Sequence, residues 1–169
     1  MPKENKITLT KKNGNEQTYE EDNESIPAEN NFVKAVVDYG NWIIYNTQAS
    51  GEWNYKFVPL YDGNAFGQID NGATPITAVK TINFVENGIC LFEHHHFWGN
   101  NFTYTDTTST ESTFPTGEGS KGVSSIIVFG GNWKLYTTDG KTKTVSKSEC
   151  PDVSKIGLNH DTIFKVEKV

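Results

Sequence analysis

Four segments of this chain open alike: Ile7-Thr8-Leu9-Thr10, Trp42-Ile43-Ile44-Tyr45, Ile89-Cys90-Leu91-Phe92 and Trp133-Lys134-Leu135-Tyr136. The first and third places are always large and apolar, which predicts strands of period two with those columns turned to a core. Four further segments, 30–38, 76–84, 120–128 and 158–166, each run from polar loop residues into a strand. The opening segments begin at residues 7, 42, 89 and 133, so one plan recurs with loops of different length. Units of about forty residues at such spacing mark a repeat architecture. Four blades would make a minimal propeller and no Trp-Asp signature closes them, whereas two units facing each other make a small sandwich.

Composition enters as support for an all-β reading. Only 35% of the chain is hydrophobic, while aromatics reach 12%, Gly occurs 15 times and Met once. Such a balance suits short strands and many turns, and no segment keeps helical periodicity beyond about two turns. The expected division is two domains, 1–85 and 86–169, with the boundary at Val85-Glu86-Asn87-Gly88. That connector is no longer than the ones expected inside each domain, so the domains are expected to abut. In the second column Thr8 and Lys134 are polar while Ile43 and Cys90 are apolar, which predicts that the second and third units meet across the domain boundary.

Charge excludes one class of partner. With 21 acidic and 15 basic residues the net charge is −6, and no basic stripe interleaves with the aromatics, which argues against nucleic acid. Residues 1–6 carry no apolar run and no stretch approaches membrane-spanning length, so the expectation is a cytoplasmic monomer with no membrane partner. Cys90 and Cys150 are too few for a disulfide framework; two reduced thiols are expected, with a Cys90–Cys150 bridge as the alternative. All four histidines lie in the C-terminal half, and only Asn159-His160-Asp161 sets one beside a carboxylate. Strand neighbours diverge, so no nucleophile–base–acid set emerges and no enzyme is expected.

Phe92, Phe97 and Gly99, followed by Ser124-Ser125-Ile126-Ile127-Val128, resemble the hairpin and serine-loop signature of the βγ-crystallin Greek-key motif. The resemblance implies a two-domain, non-lens member of that family. Motifs 1 and 2 would form a βγ-crystallin-like domain over 1–85, motifs 3 and 4 another over 86–169, each a sandwich of two paired Greek-key motifs. The third motif is nearest the pattern. The first lacks both hairpin aromatics, having Thr10 and Asn15-Glu16, and the fourth has Tyr136 but Asp139-Gly140-Lys141 where the second aromatic belongs.

Many members of that family bind calcium through a loop of two amide or carboxylate residues, two variable residues and a hydroxyl followed by Ser. Such loops suit a hard ion that takes about six to eight oxygens. Carried over to this chain, the resemblance implies no site in the N-terminal domain: Asn30 and Asn31 match, but Lys34 and Lys80 stand in the hydroxyl places. An ammonium there would repel the ion by about 4 kcal/mol per unit of its charge at ~4 Å and an effective dielectric of roughly 20. In the C-terminal domain Ser124 and Thr162 keep the hydroxyl place and Asn159 an amide place. One Ca2+ is therefore expected there, held by Ser124, Asn159, the backbone carbonyl of His160 and Glu93. A weaker set would pair Thr162 with Gly122, with Lys121 where an amide or carboxylate belongs. The implied role is that of a structural or stress-related calcium-binding protein. Alternatives are a crystallin that binds no metal and a carbohydrate-binding module using the hairpin tryptophans Trp53 and Trp98. His94 and His96, if they shared one strand face, would make a transition-metal pair, but without a partner carboxylate or thiol the pattern reads as a solvated turn.

Overall fold

The computed structural model describes residues 5–47, 53–58, 67–70, 75–83, 85–105, 111–113 and 122–169, with backbone alone at 47, 53–58, 67–70 and 111–113. Apart from three short 3-10 turns, Ala28–Asn30, His95–Phe97 and Val153–Ile156, regular structure among these residues is all β. No helix of the described residues is long and apolar enough to cross a membrane. Contacts divide the chain into two compact units, Met1–Asn83 and Phe84–Val169.

In the first unit, strands β1 (Lys6–Lys11), β2 (Glu16–Tyr19), β3 (Phe32–Tyr39) and β6 (Gly67–Asp70) form a sheet in the order β2-β1-β3-β6. Strands β4 (Asn41–Thr47), β5 (Trp53–Val58) and β7 (Ile76–Ile82) form the other, in the order β5-β4-β7. The exchange between motifs is visible in the pairing: β6, from the second motif, lies beside β3 of the first. In return Asn23 bridges Val79, exchanging two backbone hydrogen bonds of 2.9 Å with it.

The second unit repeats the exchange. Strands β8 (Ile89–Phe92), β9 (Asn101–Tyr104), β11 (Ser125–Val128) and β14 (Ser148–Cys150) are ordered β14-β11-β8-β9. Strands β10 (Glu111–Thr113), β12 (Trp133–Thr137), β13 (Thr142–Val145) and β15 (Ile163–Lys168) are ordered β10-β15-β12-β13. Each motif thus donates one strand to the other's sheet, which covers a sheet edge that would otherwise stay unpaired.

The apolar columns account for both cores. Ile7, Leu9, Trp42 and Ile44 are buried in one cluster, and Ile89, Leu91, Trp133 and Leu135 in the other. The two tryptophans opening their strands solve the indole N–H in the same way. Trp42 Nε1 donates to the Tyr39 carbonyl at 2.9 Å and Trp133 Nε1 to that of Gly130 at 3.1 Å, so each ring is buried with its polar atom paired. Cys90 and Cys150 are both free thiols and both buried. The first hairpin closes tightly, Gly14 N–H donating to the Lys11 carbonyl at 2.9 Å, and the fourth likewise, Gly140 to Thr137 at 3.0 Å. Loss of the aromatic pair therefore shortens the corner and leaves the core columns in place.

Candidate metal centre

The third hairpin folds back on itself. Phe92 and Phe97 lie with ring centroids 5.3 Å apart at 57°, and the chain between them turns through left-handed residues His96 (φ 57°) and Phe97 (φ 64°). Left-handed backbone is costly for residues with a Cβ. Ser125 holds it: the buried hydroxyl donates to the His94 carbonyl at 2.5 Å and accepts the Phe97 N–H at 2.9 Å. The turn ends at Gly99 (φ 79°), where a Cβ would lie 2.9 Å from His94 Cδ2 and 3.0 Å from Glu93 Cβ.

Next to this hairpin two loops cross. Ser124 is fixed at both backbone groups, its N–H donating to Phe92 at 2.9 Å and its carbonyl accepting from Val153 at 3.0 Å. Its hydroxyl then reaches the Asp161 carboxylate, Oγ to Oδ1 at 3.2 Å. Asp161 is itself left-handed (φ 58°) and donates its N–H to the Val123 carbonyl at 3.2 Å. The crossing is close enough that a Cβ on Gly122 would fall 2.4 Å from Asp161 Cα and 2.3 Å from its Cβ. Gly122 is therefore required by the neighbouring backbone.

Thr162 Oγ1 donates to the Asn159 carbonyl at 2.8 Å. Asn159 offers its amide nitrogen to Asp139 Oδ2 at 2.9 Å, which leaves its amide oxygen without a donor among the described residues. Asp139 also accepts from Thr137 and pairs with Lys141 Nζ at 3.3 Å. The Thr137 hydroxyl first, and Lys141 after it, hold the Asp139 carboxyl below its usual value. Glu93 turns across its own hairpin neck, Oε2 accepting from Asn100 N at 3.2 Å and Nδ2 at 3.0 Å. Ser124 and Asn159 thus bond to two different carboxylates, Asp161 and Asp139. Among the described residues no donor occupies the carbonyl oxygens of Gly122 or His160. The crossing thus brings Ser124 to Asp161, a carboxylate that the motif pattern did not assign, while Asn159 and Glu93 meet Asp139 and Asn100. The signal of Asp161 in the sequence was a break in an otherwise apolar column. Lys121 lies outside the described residues, as does the side chain of Trp53; Trp98 is half-buried.

The corresponding loop of the first motif is met by a cation. Lys11 Nζ donates to Asn30 Oδ1 at 3.1 Å and sits 5.3 Å from the centre of the Phe32 ring. The Asn31 carbonyl accepts from Lys12 N at 3.0 Å. Of the two lysines singled out in the sequence, Lys34 is exposed on β3 and Lys80 is buried on β7 at 3% exposure. The ammonium at Asn30 belongs instead to the hairpin lysine.

The histidines are arranged differently from a strand. Because His95–Phe97 form a 3-10 turn with a left-handed His96, period two does not apply and His94 and His96 share no strand face. His95 instead stacks on His160, centroids 4.2 Å apart at 25°. The carboxylate beside His160 is Asp152, Nε2 to Oδ1 at 3.4 Å, rather than its chain neighbour Asp161.

Geodin, a βγ-crystallin from Geodia cydonium, superposes with TM-score 0.67 at 21% identity, covering 99% of this chain and 100% of that one. The chain has the βγ-crystallin fold. A βγ-crystallin from Ciona intestinalis matches 48% of this βγ-crystallin-like chain and 99% of its own at 25% identity and TM-score 0.39. One from an archaeon matches 50% and 100% at 23% identity and TM-score 0.42. No protein-family model and no curated protein sequence matches the chain.

Proposed function

We propose that this βγ-crystallin-like chain is a structural protein that binds one calcium ion in its C-terminal unit and none in its N-terminal unit. The single observation behind this reading is the loop crossing at which the Ser124 hydroxyl faces the Asp161 carboxylate at 3.2 Å; among the described residues no donor occupies the carbonyls of Gly122 and His160. Ser124, Asp161, the His160 carbonyl and the amide oxygen of Asn159 are the donors we assign, with Glu93 and Thr162 at the margin. Water would complete the six to eight oxygens that calcium takes. In the N-terminal unit the Lys11 ammonium already occupies Asn30.

Calorimetric calcium titration of the whole chain, with a chelator control, tests the reading. One ion per chain is expected, lost in the Asp161→Asn and Ser124→Ala variants. Melting curves that coincide in calcium and in chelator reduce the protein to a crystallin that binds no metal.

A further inference from the structure

Three side-chain donors not used by the oxygen site converge from three separate segments: His95 from the hairpin turn, Asp152 from the corner after β14, and His160, whose carbonyl alone is assigned to calcium, from the loop before β15. One ligand atom from each lies within 4.8 Å of the others. The residue after each donor is anchored through its backbone N–H. His96 donates to Pro151 at 2.8 Å, Val153 to Ser124 at 3.0 Å and Asp161 to Val123 at 3.2 Å. Asp152 is held further by accepting the Ser154 N–H at 2.8 Å, the capping contact of the turn Val153–Ile156. The group is therefore assembled by backbone contacts and does not depend on chance meeting of surface side chains.

His160 supplies the second observation. Its Nε2 faces Asp152 Oδ1 at 3.4 Å, and its Nδ1 is buried with no hydrogen-bond partner among the described residues. A buried polar atom left without a partner is uncommon in folded proteins. The His160 ring also lies flat against the His95 ring. Two imidazoles side by side gain nothing as a cation pair, but both are lone-pair donors when neutral.

We propose that His95, Asp152 and His160 form a binding site for a divalent transition-metal ion. Two imidazoles with one carboxylate suit zinc, copper or nickel and not calcium, which prefers oxygen throughout. Metal–donor bonds of ~2.0–2.2 Å in tetrahedral geometry set donors roughly 3.4 Å apart. The 4.8 Å spacing closes by side-chain rotation at His95, which is exposed. Three protein ligands leave one position to water, so the ion would clamp the hairpin, the β14 corner and the β15 loop of one unit together.

Zinc titration of the whole, chelator-treated chain by calorimetry tests the site. One zinc ion per chain is expected. Affinity is expected to fall at least about tenfold in each of His95→Ala, Asp152→Asn and His160→Ala. His94→Ala should leave it unchanged, and calcium added at saturation should not compete with the zinc, which separates this site from the oxygen site. Absence of saturable zinc binding, or binding that survives both His95→Ala and His160→Ala, overturns the proposal. As a readout that needs no variant, the paramagnetic resonance spectrum of the copper-loaded wild-type chain is expected to show two nitrogen donors. A spectrum with oxygen donors alone overturns it equally.

Discussion

The loops of the first and fourth motifs present an asparagine to their own hairpin, and the hairpins answer with opposite charge. In the first, the Lys11 ammonium meets the Asn30 amide oxygen; in the fourth, the Asp139 carboxylate meets the Asn159 amide nitrogen. An amide is a donor at one end and an acceptor at the other, so the sign of its partner decides which end remains for a ligand. A lysine consumes the oxygen. An aspartate leaves it. A second carboxylate, Asp161, meets Ser124 in the C-terminal unit, while in the N-terminal counterpart the Asn30 oxygen is taken by the Lys11 ammonium.

The most severe test of this contrast is Gly122→Ala. The added methyl would have to displace the Asp161 backbone, so a loss of about 3 kcal/mol is expected from denaturant melts, with loss of calcium binding. A neutral effect would mean the crossing is looser than its geometry. Calcium itself comes next: at a hundredfold over its Kd it is expected to stabilise the C-terminal unit by ~2.7 kcal/mol, with no shift in hydrogen exchange of residues 6–47. Ser125→Ala gives the third motif the residue found at the same place of the first, Ala35. It removes the hydroxyl that accepts the Phe97 N–H and donates to the His94 carbonyl and is expected to cost about 2 kcal/mol in chemical unfolding.

Smaller effects sharpen the comparison from the other side. Lys11→Met is expected to cost about 1 kcal/mol or less and to leave the stoichiometry at one calcium ion, because the Asn31 carbonyl stays engaged by Lys12 N–H. A second ion in that variant would place the whole difference between the units in one ammonium. The least effect concerns acid. Asp139 and Asp152 both have depressed pKa values when folded, so their contribution is fully present above the unfolded value near ~4 and fades as pH falls through the folded values. Acid titration followed by fluorescence should therefore show the C-terminal unit of Asp139→Asn less pH-dependent below about pH 4 than that of the wild type.

Much of the fold was legible because its signals are local. Alternation places Ile89 and Leu91 on one face wherever the strand ends up, and the Phe92, Phe97, Gly99 spacing describes a turn within a few residues. The serines were legible as a pair but not in their division of labour: Ser125 faces inward to the hairpin and Ser124 outward to Asp161. Asp161 showed itself only as a misfit among apolar residues. The His94-His95-His96 run read as a solvated hairpin turn, and a left-handed His96 that sets His95 against His160 leaves no mark in composition. Asp152 carried a cap-like spacing to Ser154 and nothing that linked it to a histidine.

From its sequence alone the chain commits to four Greek-key units with apolar columns inside and to oxygen-rich loops concentrated in its second half. Periodicity and turn chemistry act over a few residues and need no knowledge of the rest. Which donors meet was decided by tertiary structure: Ser124 with Asp161, Asn159 with Asp139, and His95 with Asp152 and His160. Those partners lie up to sixty-five residues apart, from His95 to His160, and their approach depends on the loop crossing and on left-handed turns at His96 and Asp161. A change of one backbone angle there re-aims a side chain by several ångströms while leaving every strand, and every hydrophobic pattern, as it was.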